Sequence, residues 1–160
     1  PLTVQDTESI ELIRSMIISK KYLNQAYYVS PSYGNSTVIL YHLARLMGKY
    51  KIPLLEDCRG IIKNDIELAL KKPHNFMEQV VLSSALLKMG GNPKELIFPS
   101  SLEKEINKFN FFDANLFAPY AKPSLRFVSK SRLFTLPFYC KAYCLALLLE
   151  YENLKSESLK

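Results

Sequence analysis

Three residues of the kind used in nucleophilic catalysis lie in the first half of the sequence. Cys58 follows Asp57 directly, and His42 lies upstream of both. A cysteine nucleophile needs a histidine base beside it and a third group that orients that histidine. The residue types are present, but nothing in their spacing requires them to meet, and a histidine that follows a tyrosine within a helix is more often structural. We therefore assign no catalytic residue from the sequence.

The cysteines also suggest metal binding as a possible function. Cys140 and Cys144 are four positions apart, on one face of a predicted helix. A structural zinc site needs four ligands, and no further cysteine or histidine lies near this pair. The sequence therefore predicts no metal and no cofactor. The odd count of three cysteines does not indicate a disulfide framework, so we expect buried free thiols and a cytoplasmic protein.

Aromatic residues crowd two segments that also lack acidic residues. No Asp or Glu occurs between Glu11 and Glu56, or between Asp113 and Glu150, whereas these windows hold six and five basic residues. Aromatic rings with hydroxyl tips suit the wall of an apolar pocket, and basic side chains suit its rim. Plain core packing is the competing interpretation. The residues predicted to bind a ligand are Tyr27, Tyr28, Tyr41, Arg45, Arg126, Phe127, Tyr139 and Tyr143, with Lys20, Lys21, Lys130 and Arg132 completing the basic rim.

Other functional classes find little support in the sequence. The sequence pI of about 9.2 is compatible with nucleic-acid binding, but no nucleic-acid-binding motif occurs and the basic residues are not tightly clustered. Gly90 and Gly91 follow a predicted helix and do not open one, so they do not form a phosphate-binding loop. The apolar run Ala142 to Leu149 is much shorter than the roughly 20 residues of a membrane span. Because the chain begins with Pro1, we expect it to have been trimmed or cut from a longer one.

Helical periodicity runs through most of the chain, and no convincing strand pattern occurs. Proline, glycine and capping pairs such as Asn75 with Glu78 and Ser100 with Glu103 divide it into segments. We expect one all-α domain over residues 1–152 and a polar, fraying tail over residues 153–160. The predicted helices are Thr7–Ser19, Ser36–Met47 capped by Gly48, Pro53 to about Lys72, Asn75 to Met89, Ser100 to Phe109, and Pro137–Glu152.

Two stretches of the sequence resemble one another. Residues 27–47 read YYVSPSYGNSTVILYHLARLM, and residues 126–150 read RFVSKSRLFTLPFYCKAYCLALLLE. We predict that Tyr41 and Tyr143 occupy equivalent places. An aromatic pair, a serine turn and a Tyr-x-Leu-Ala helix resemble the α/α-toroid repeats of the terpenoid cyclase and protein prenyltransferase superfamily, most closely an uncharacterised bacterial branch of it. The resemblance implies antiparallel helical hairpins that form a partial, open toroid-like arc.

The resemblance also implies an isoprenoid-like or acyl ligand with an anionic head, held in an aromatic-lined concavity. The chain lacks the aspartate-rich motif of the cyclases, and its two histidines are not set among zinc ligands as in the prenyltransferases. Catalysis of the cyclase type would need acidic residues from outside this segment. The alternative hypotheses are a protein-interaction scaffold and half of a two-part cyclase-like protein, with a missing N-terminal half or a second copy as partner.

Overall fold

A computed structural model of the chain describes residues 4–23, 36–50, 52–108 and 137–160. Within these ranges the regular structure is entirely helical, which confirms the predicted all-α class. The elements are α1 (Val4–Ile18), a 3₁₀ turn (Lys21–Leu23), α2 (Ser36–Lys49), a 3₁₀ segment (Pro53–Cys58), α3 (Arg59–Leu70), α4 (Phe76–Lys88), α5 (Leu102–Lys108) and α6 (Pro137–Ser158).

Both ends of α4 follow the predicted signals. The Asn75 side chain accepts a hydrogen bond from the Glu78 amide, and the Glu78 carboxylate accepts one from the Asn75 amide, so the capping box is complete. At the other end Gly90 has φ of 69°. Its amide donates to Leu87 and the Gly91 amide donates to Leu86. This pair of bonds is a Schellman motif, which needs a residue such as glycine in the left-handed region.

Several predicted boundaries differ from the structure. The first helix begins at Val4 instead of Thr7 and the fifth at Leu102 instead of Ser100, and three further differences have a physical explanation. Gly48 lies inside α2 and does not cap it, because α2 continues to Lys49. Pro53 opens a 3₁₀ segment, and the α-helical part of the predicted third helix begins only at Arg59. The last helix continues to Ser158 instead of ending near Glu152, so polar residues after 152 extend the helix. Local sequence marks helix ends best where capping side chains are present.

Helix α4 lies at the centre of the fold. It packs against α2, α3, α5 and α6. Eight of its residues are buried, from Met77 to Leu86, and they lie on every side of the helix. A helix that is buried on all sides belongs in the interior of a domain. The core that surrounds α4 includes Leu40 and Ala44 of α2, Ile62 and Ile66 of α3, and Leu147 of α6.

The principal packing pairs join helices that are not consecutive in sequence. α4 packs against α2 and α6, and α3 contacts both α2 and α4, while α1 lies against the Pro53–Cys58 segment. An open arc of antiparallel hairpins therefore stays a prediction. The helices that carry the two similar stretches, α2 and α6, both form, but the tags before them lie outside the described residues. Within the described ranges, no helix combines the length and apolarity that crossing a membrane requires.

Candidate functional site

A buried carboxylate, that of Asp65 on α3, ties together two elements of the fold. Its side chain is only 3% exposed, and Lys20 Nζ lies 2.8 Å from its Oδ1. The Tyr22 hydroxyl donates a hydrogen bond to Oδ2, and the Tyr22 ring is itself buried. A buried carboxylate is tolerated only when its charge is paired and its oxygens are hydrogen-bonded. Asp65 meets both conditions and anchors the chain after α1 to α3.

Lys20 reaches this position with an unusual backbone conformation. Its φ is 52°, in the left-handed region that a lysine seldom adopts. The helical path of α1 ends just before it, at Ile18, and the chain turns into Lys21–Leu23 just after it. The left-handed residue redirects the chain so that both Lys20 and Tyr22 meet one carboxylate. We infer that the ion pair helps to offset the cost of this conformation.

A cavity of about 190 Å³ lies beside Asp65, and we call it the Asp65 cavity. It is bounded by the 3₁₀ turn after α1, the first turn of α2, the second half of α3, the turn that follows α3, and α4. Its lining residues are Leu23, Ser36, Thr37, Leu40, Asp65, Leu68, Ala69, Lys72, Pro73, His74, Glu78 and Leu82.

The lining of the Asp65 cavity is divided by polarity. Leucine side chains from four elements and Ala69 provide apolar surface. Lys72, His74 and the hydroxyls of Ser36 and Thr37 provide polar groups. The positive end of the α2 dipole lies at Ser36, where the first turn of the helix contains no acidic residue. The cavity therefore offers an apolar wall together with groups that favour a negative charge.

Both acidic residues of the Asp65 cavity already have partners. Asp65 is bonded to Lys20 and Tyr22, and the Glu78 carboxylate accepts the Asn75 amide. The turn that carries Lys72 is fixed as well, because Nδ1–H of His74 donates to the Lys72 carbonyl at 2.5 Å. The charge of Asp65 is thus compensated by Lys20, while Glu78 and Lys72 contribute one negative and one positive charge to the lining.

A second polar network joins the two helices whose sequences are similar. The Tyr41 hydroxyl on α2 donates to Oε2 of Glu150 on α6 at 2.6 Å, and Lys88 of α4 donates to Oε1 at 2.6 Å. The Lys88 ammonium also lies 6.0 Å from the centre of the Tyr41 ring, within range of a cation–π contact. One carboxylate therefore joins α2, α4 and α6.

The structure locates only part of the ligand site predicted from the sequence. Tyr41 is buried, and its hydroxyl is hydrogen-bonded to Glu150, so the structure places it in a network within the core. Arg45 is exposed on α2. Four predicted residues lie outside the described ranges: Tyr27, Tyr28, Arg126 and Phe127. Tyr139 and Tyr143 lie on α6, but their side chains are outside the description. The predicted site as a whole stays a prediction.

The basic rim expected from the sequence needs one correction. Lys20 was expected to contribute an uncompensated positive charge, because no acidic residue lies near it in sequence. Asp65 of α3 compensates that charge through the folded structure. Arg45, by contrast, is exposed, and its positive charge, together with the larger effect of burial, lowers the pKa of His42. His42 therefore favours its neutral form.

The cysteine chemistry considered from the sequence is disfavoured by the surroundings of Cys58. Asp57 forms an ion pair with Arg14 of α1, with 2.5 Å between Arg14 Nη2 and Asp57 Oδ2, so its carboxylate is already engaged. Burial, with added repulsion from Asp57, raises the pKa of the Cys58 thiol. A reactive cysteine needs the opposite shift toward the thiolate. Cys58 and Cys144 are both buried, and neither is in a disulfide. Across the described ranges, no three His, Cys, Asp or Glu residues are grouped as metal ligands.

The sequence analysis did not identify Asp65 or Lys72. Only Asp65 has a feature in the sequence from which its role could have been predicted. Asp65 lies beside Ile66 and three positions after Ile62, on the face of α3 that becomes buried. A charged residue on an apolar helix face predicts a buried partner of opposite charge. Lys72 lies at the polar end of α3, where lysines are common, so its position beside a cavity has no local signature.

No protein-family profile, curated protein or solved structure matches the chain.

Proposed function

We propose that this chain is a binding module that holds a small amphiphile in the Asp65 cavity, with an anionic head near Lys72 and a short aliphatic chain against the leucines. The observation that carries the proposal is the division of the cavity lining into an apolar wall and a polar, cation-bearing side. Ligand pockets commonly combine a mostly apolar surface with a few polar groups that fix orientation.

Both acids of the Asp65 cavity are already engaged within the protein, which favours an anionic head over a cationic one. Lys20 compensates Asp65, and the capping box engages Glu78. A carboxylate or phosphate near Lys72 would gain a charge-assisted hydrogen bond and the favourable end of the α2 dipole. An ammonium head would be repelled by Lys72, while Glu78 already accepts a hydrogen bond from the backbone amide of Asn75.

The size of the Asp65 cavity narrows the ligand expected from the sequence. About 190 Å³ is the space of about six water molecules in the liquid. If each methylene group takes about the space of one such water molecule, this volume suits an aliphatic chain of about four to six carbons. A farnesyl or long fatty acyl chain would need additional space. We therefore propose a short acyl or single-prenyl ligand in place of a long isoprenoid.

A titration with hexanoate tests the proposal, with 1-hexanol as the neutral analogue of equal length. We expect hexanoate to bind several-fold more tightly, because one charge-assisted contact at a partly exposed site contributes about 1 kcal/mol. Amide chemical shifts should change along residues 36–40 and 65–74. Raising the salt concentration should narrow the difference between acid and alcohol, since exposed charges are screened.

The matched variants are Lys72→Met and Lys71→Met. Lys71 is the adjacent residue, but it lines a different groove formed with Gln79 and Lys94. Lys72→Met should remove the preference for hexanoate, whereas Lys71→Met should retain it. Equal affinity for hexanoate and hexanol in the unmodified protein, or binding of neither, would refute the proposed function.

A protein-interaction scaffold is the second candidate function, and one observation favours it. Helix α6 exposes two leucines four residues apart on the side that faces away from α4.

A further inference from the structure

Helix α6 is apolar on two faces, and among the described residues one of them packs against the rest of the fold. Cys144, Leu147, Leu148 and Tyr151 are buried. On the other face Leu145 is 51% exposed and Leu149 is 65% exposed. Ala142 and Ala146 are exposed with them. We call these four exposed residues, Ala142, Leu145, Ala146 and Leu149, the α6 stripe.

The spacing of the α6 stripe favours a helix as its partner. Ala142, Leu145 and Leu149 are separated by three and then four positions, which is the spacing of a coiled-coil seam. The stripe covers two turns, roughly 10 Å of helix. It ends at the exposed polar residues Glu152 and Asn153. An occupant that matches two turns of a seam is another helix with the same short repeat.

Side-chain size along the α6 stripe is complementary to the stripe itself. Alanine and leucine alternate, so an antiparallel copy can place Ala142 against Leu149 and Leu145 against Ala146. Each large side chain then faces a small one, which allows two helices to pack closely. A parallel copy in register would instead place leucine against leucine and alanine against alanine.

Charge along α6 also favours an antiparallel second copy. Lys141 lies at the start of the α6 stripe and the exposed Glu152 lies just beyond its end, whereas Glu150 is already bonded to Tyr41 and Lys88. In the antiparallel arrangement the lysine of each copy approaches the acidic end of the other. Lys141 is only loosely engaged in its own chain, with 3.8 Å between its Nζ and an exposed Glu103 carboxylate. A parallel arrangement would bring like charges together.

We propose that the α6 stripe is a self-association surface on which two copies of the chain pack through antiparallel α6 helices related by a two-fold axis. Such an interface is isologous, because the same residues are used by both copies. It is also small, so the dimer is weak and transient. The net charge of +6 on each copy adds repulsion between the copies, and salt screens this repulsion together with the attraction between Lys141 and Glu152.

Sedimentation equilibrium over a wide concentration range measures this association. We expect a monomer–dimer equilibrium in the unmodified protein and at least a tenfold weaker association in Leu149→Glu, which places a charge in the seam. The matched control is Leu12→Glu, because Leu12 is 63% exposed on α1, away from the stripe. This control should dimerise like the unmodified protein.

A charge exchange tests the antiparallel orientation. Lys141→Glu and Glu152→Lys should each weaken the dimer, and the double variant should restore it, because each copy then offers a glutamate to the other's lysine. The proposal is overturned if the unmodified protein stays monomeric at all concentrations, or if Leu12→Glu weakens association as much as Leu149→Glu. A monomer that only Leu149→Glu destabilises would show that the stripe is covered within its own chain.

Discussion

Single carboxylates hold together elements that are far apart in the sequence. Asp65 joins α3 to the chain segment after α1, and Glu150 joins α6 to α2 and α4. Apolar contacts between helices tolerate sliding, whereas a carboxylate with two defined partners specifies one arrangement. The Asp65 cavity depends on this, because the residues that line it come from five parts of the chain.

Replacing Asp65 tests how strongly this anchor stabilises the fold. Asp65→Ala should lower the free energy of unfolding by about 3 kcal/mol, because it leaves the buried Tyr22 hydroxyl without its acceptor and Lys20 without its counter-ion. Asp65→Asn should cost less, since the amide oxygen can still accept from Tyr22. Urea denaturation measures both. Asp57→Asn, in the exposed pair with Arg14, is the control and should change stability much less.

Replacing Ser84 should stabilise the protein, in contrast to replacing Asp65. Ser84 is fully buried in α4, and its hydroxyl has no hydrogen-bond partner among the described residues. Ser84→Ala should raise the free energy of unfolding by about 1 kcal/mol, because it removes a desolvated hydroxyl and improves helix propensity. Ser9→Ala, at an exposed position of α1 where the hydroxyl donates to the Gln5 carbonyl, should gain no more than the propensity part. A thermal melt in which Ser84→Ala is less stable would show that the hydroxyl has a partner.

The helices show where sequence signals were sufficient and where they were not. Asn75, Glu78 and Gly90 act on their neighbours in the chain, so both ends of α4 were readable from the sequence. Gly48 was assigned to a cap because glycine often ends a helix. Its position is instead explained by α4, since a Cβ on Gly48 would lie 3.0 Å from the Lys88 carbonyl oxygen. A contact between distant segments has no signature in the local sequence.

Two glycine substitutions separate close packing from intrinsic helix preference. A Cβ at Gly91 would lie 2.3 Å from Cδ1 of Leu86, which is itself buried. Gly91→Ala should therefore lower the free energy of unfolding by about 1–3 kcal/mol, the usual range for overpacking. Gly60→Ala in α3 meets no atom within 4 Å and should raise stability by up to about 1 kcal/mol. Equal behaviour of the two variants in chemical denaturation would contradict this account of the Leu86 contact.

At the scale of the whole molecule, the sequence predicted the all-α class but not the Asp65 cavity. Helical periodicity and proline and glycine breaks were enough to identify an all-α chain. The candidate cavity was missed because it forms where α2, α3 and α4 meet, and no one segment carries its pattern. The aromatic residues that drew attention in the sequence include Tyr41, whose hydroxyl serves the network with Glu150. Tyrosine content alone did not distinguish a pocket wall from a core contact.

The response of the whole molecule to acid can be derived from two groups with opposite surroundings. Burial, with the nearby Arg45 charge, lowers the pKa of His42 below its ordinary 6.5. The unfolded chain therefore binds a proton at a higher pH than the folded protein does, and stability must fall as the pH drops from about 6.5 through the folded-state pKa. The hydrogen bond from Arg14 lowers the pKa of Asp57 below 3.8, so a second, smaller loss follows in stronger acid.

Denaturation in urea at a series of pH values measures this response. We expect a plateau above about pH 7.5 and a decline in stability as the pH falls below it, because an ordinary histidine of the unfolded chain then begins to take up a proton. His42→Gln should flatten that decline, whatever its effect on stability at pH 8, because glutamine does not titrate. His74→Gln is the matched control and should retain the decline, since Arg45 and the buried face of α2 still surround His42. If His42→Gln leaves the decline unchanged, carboxylates rather than this imidazole link folding to protons in mild acid.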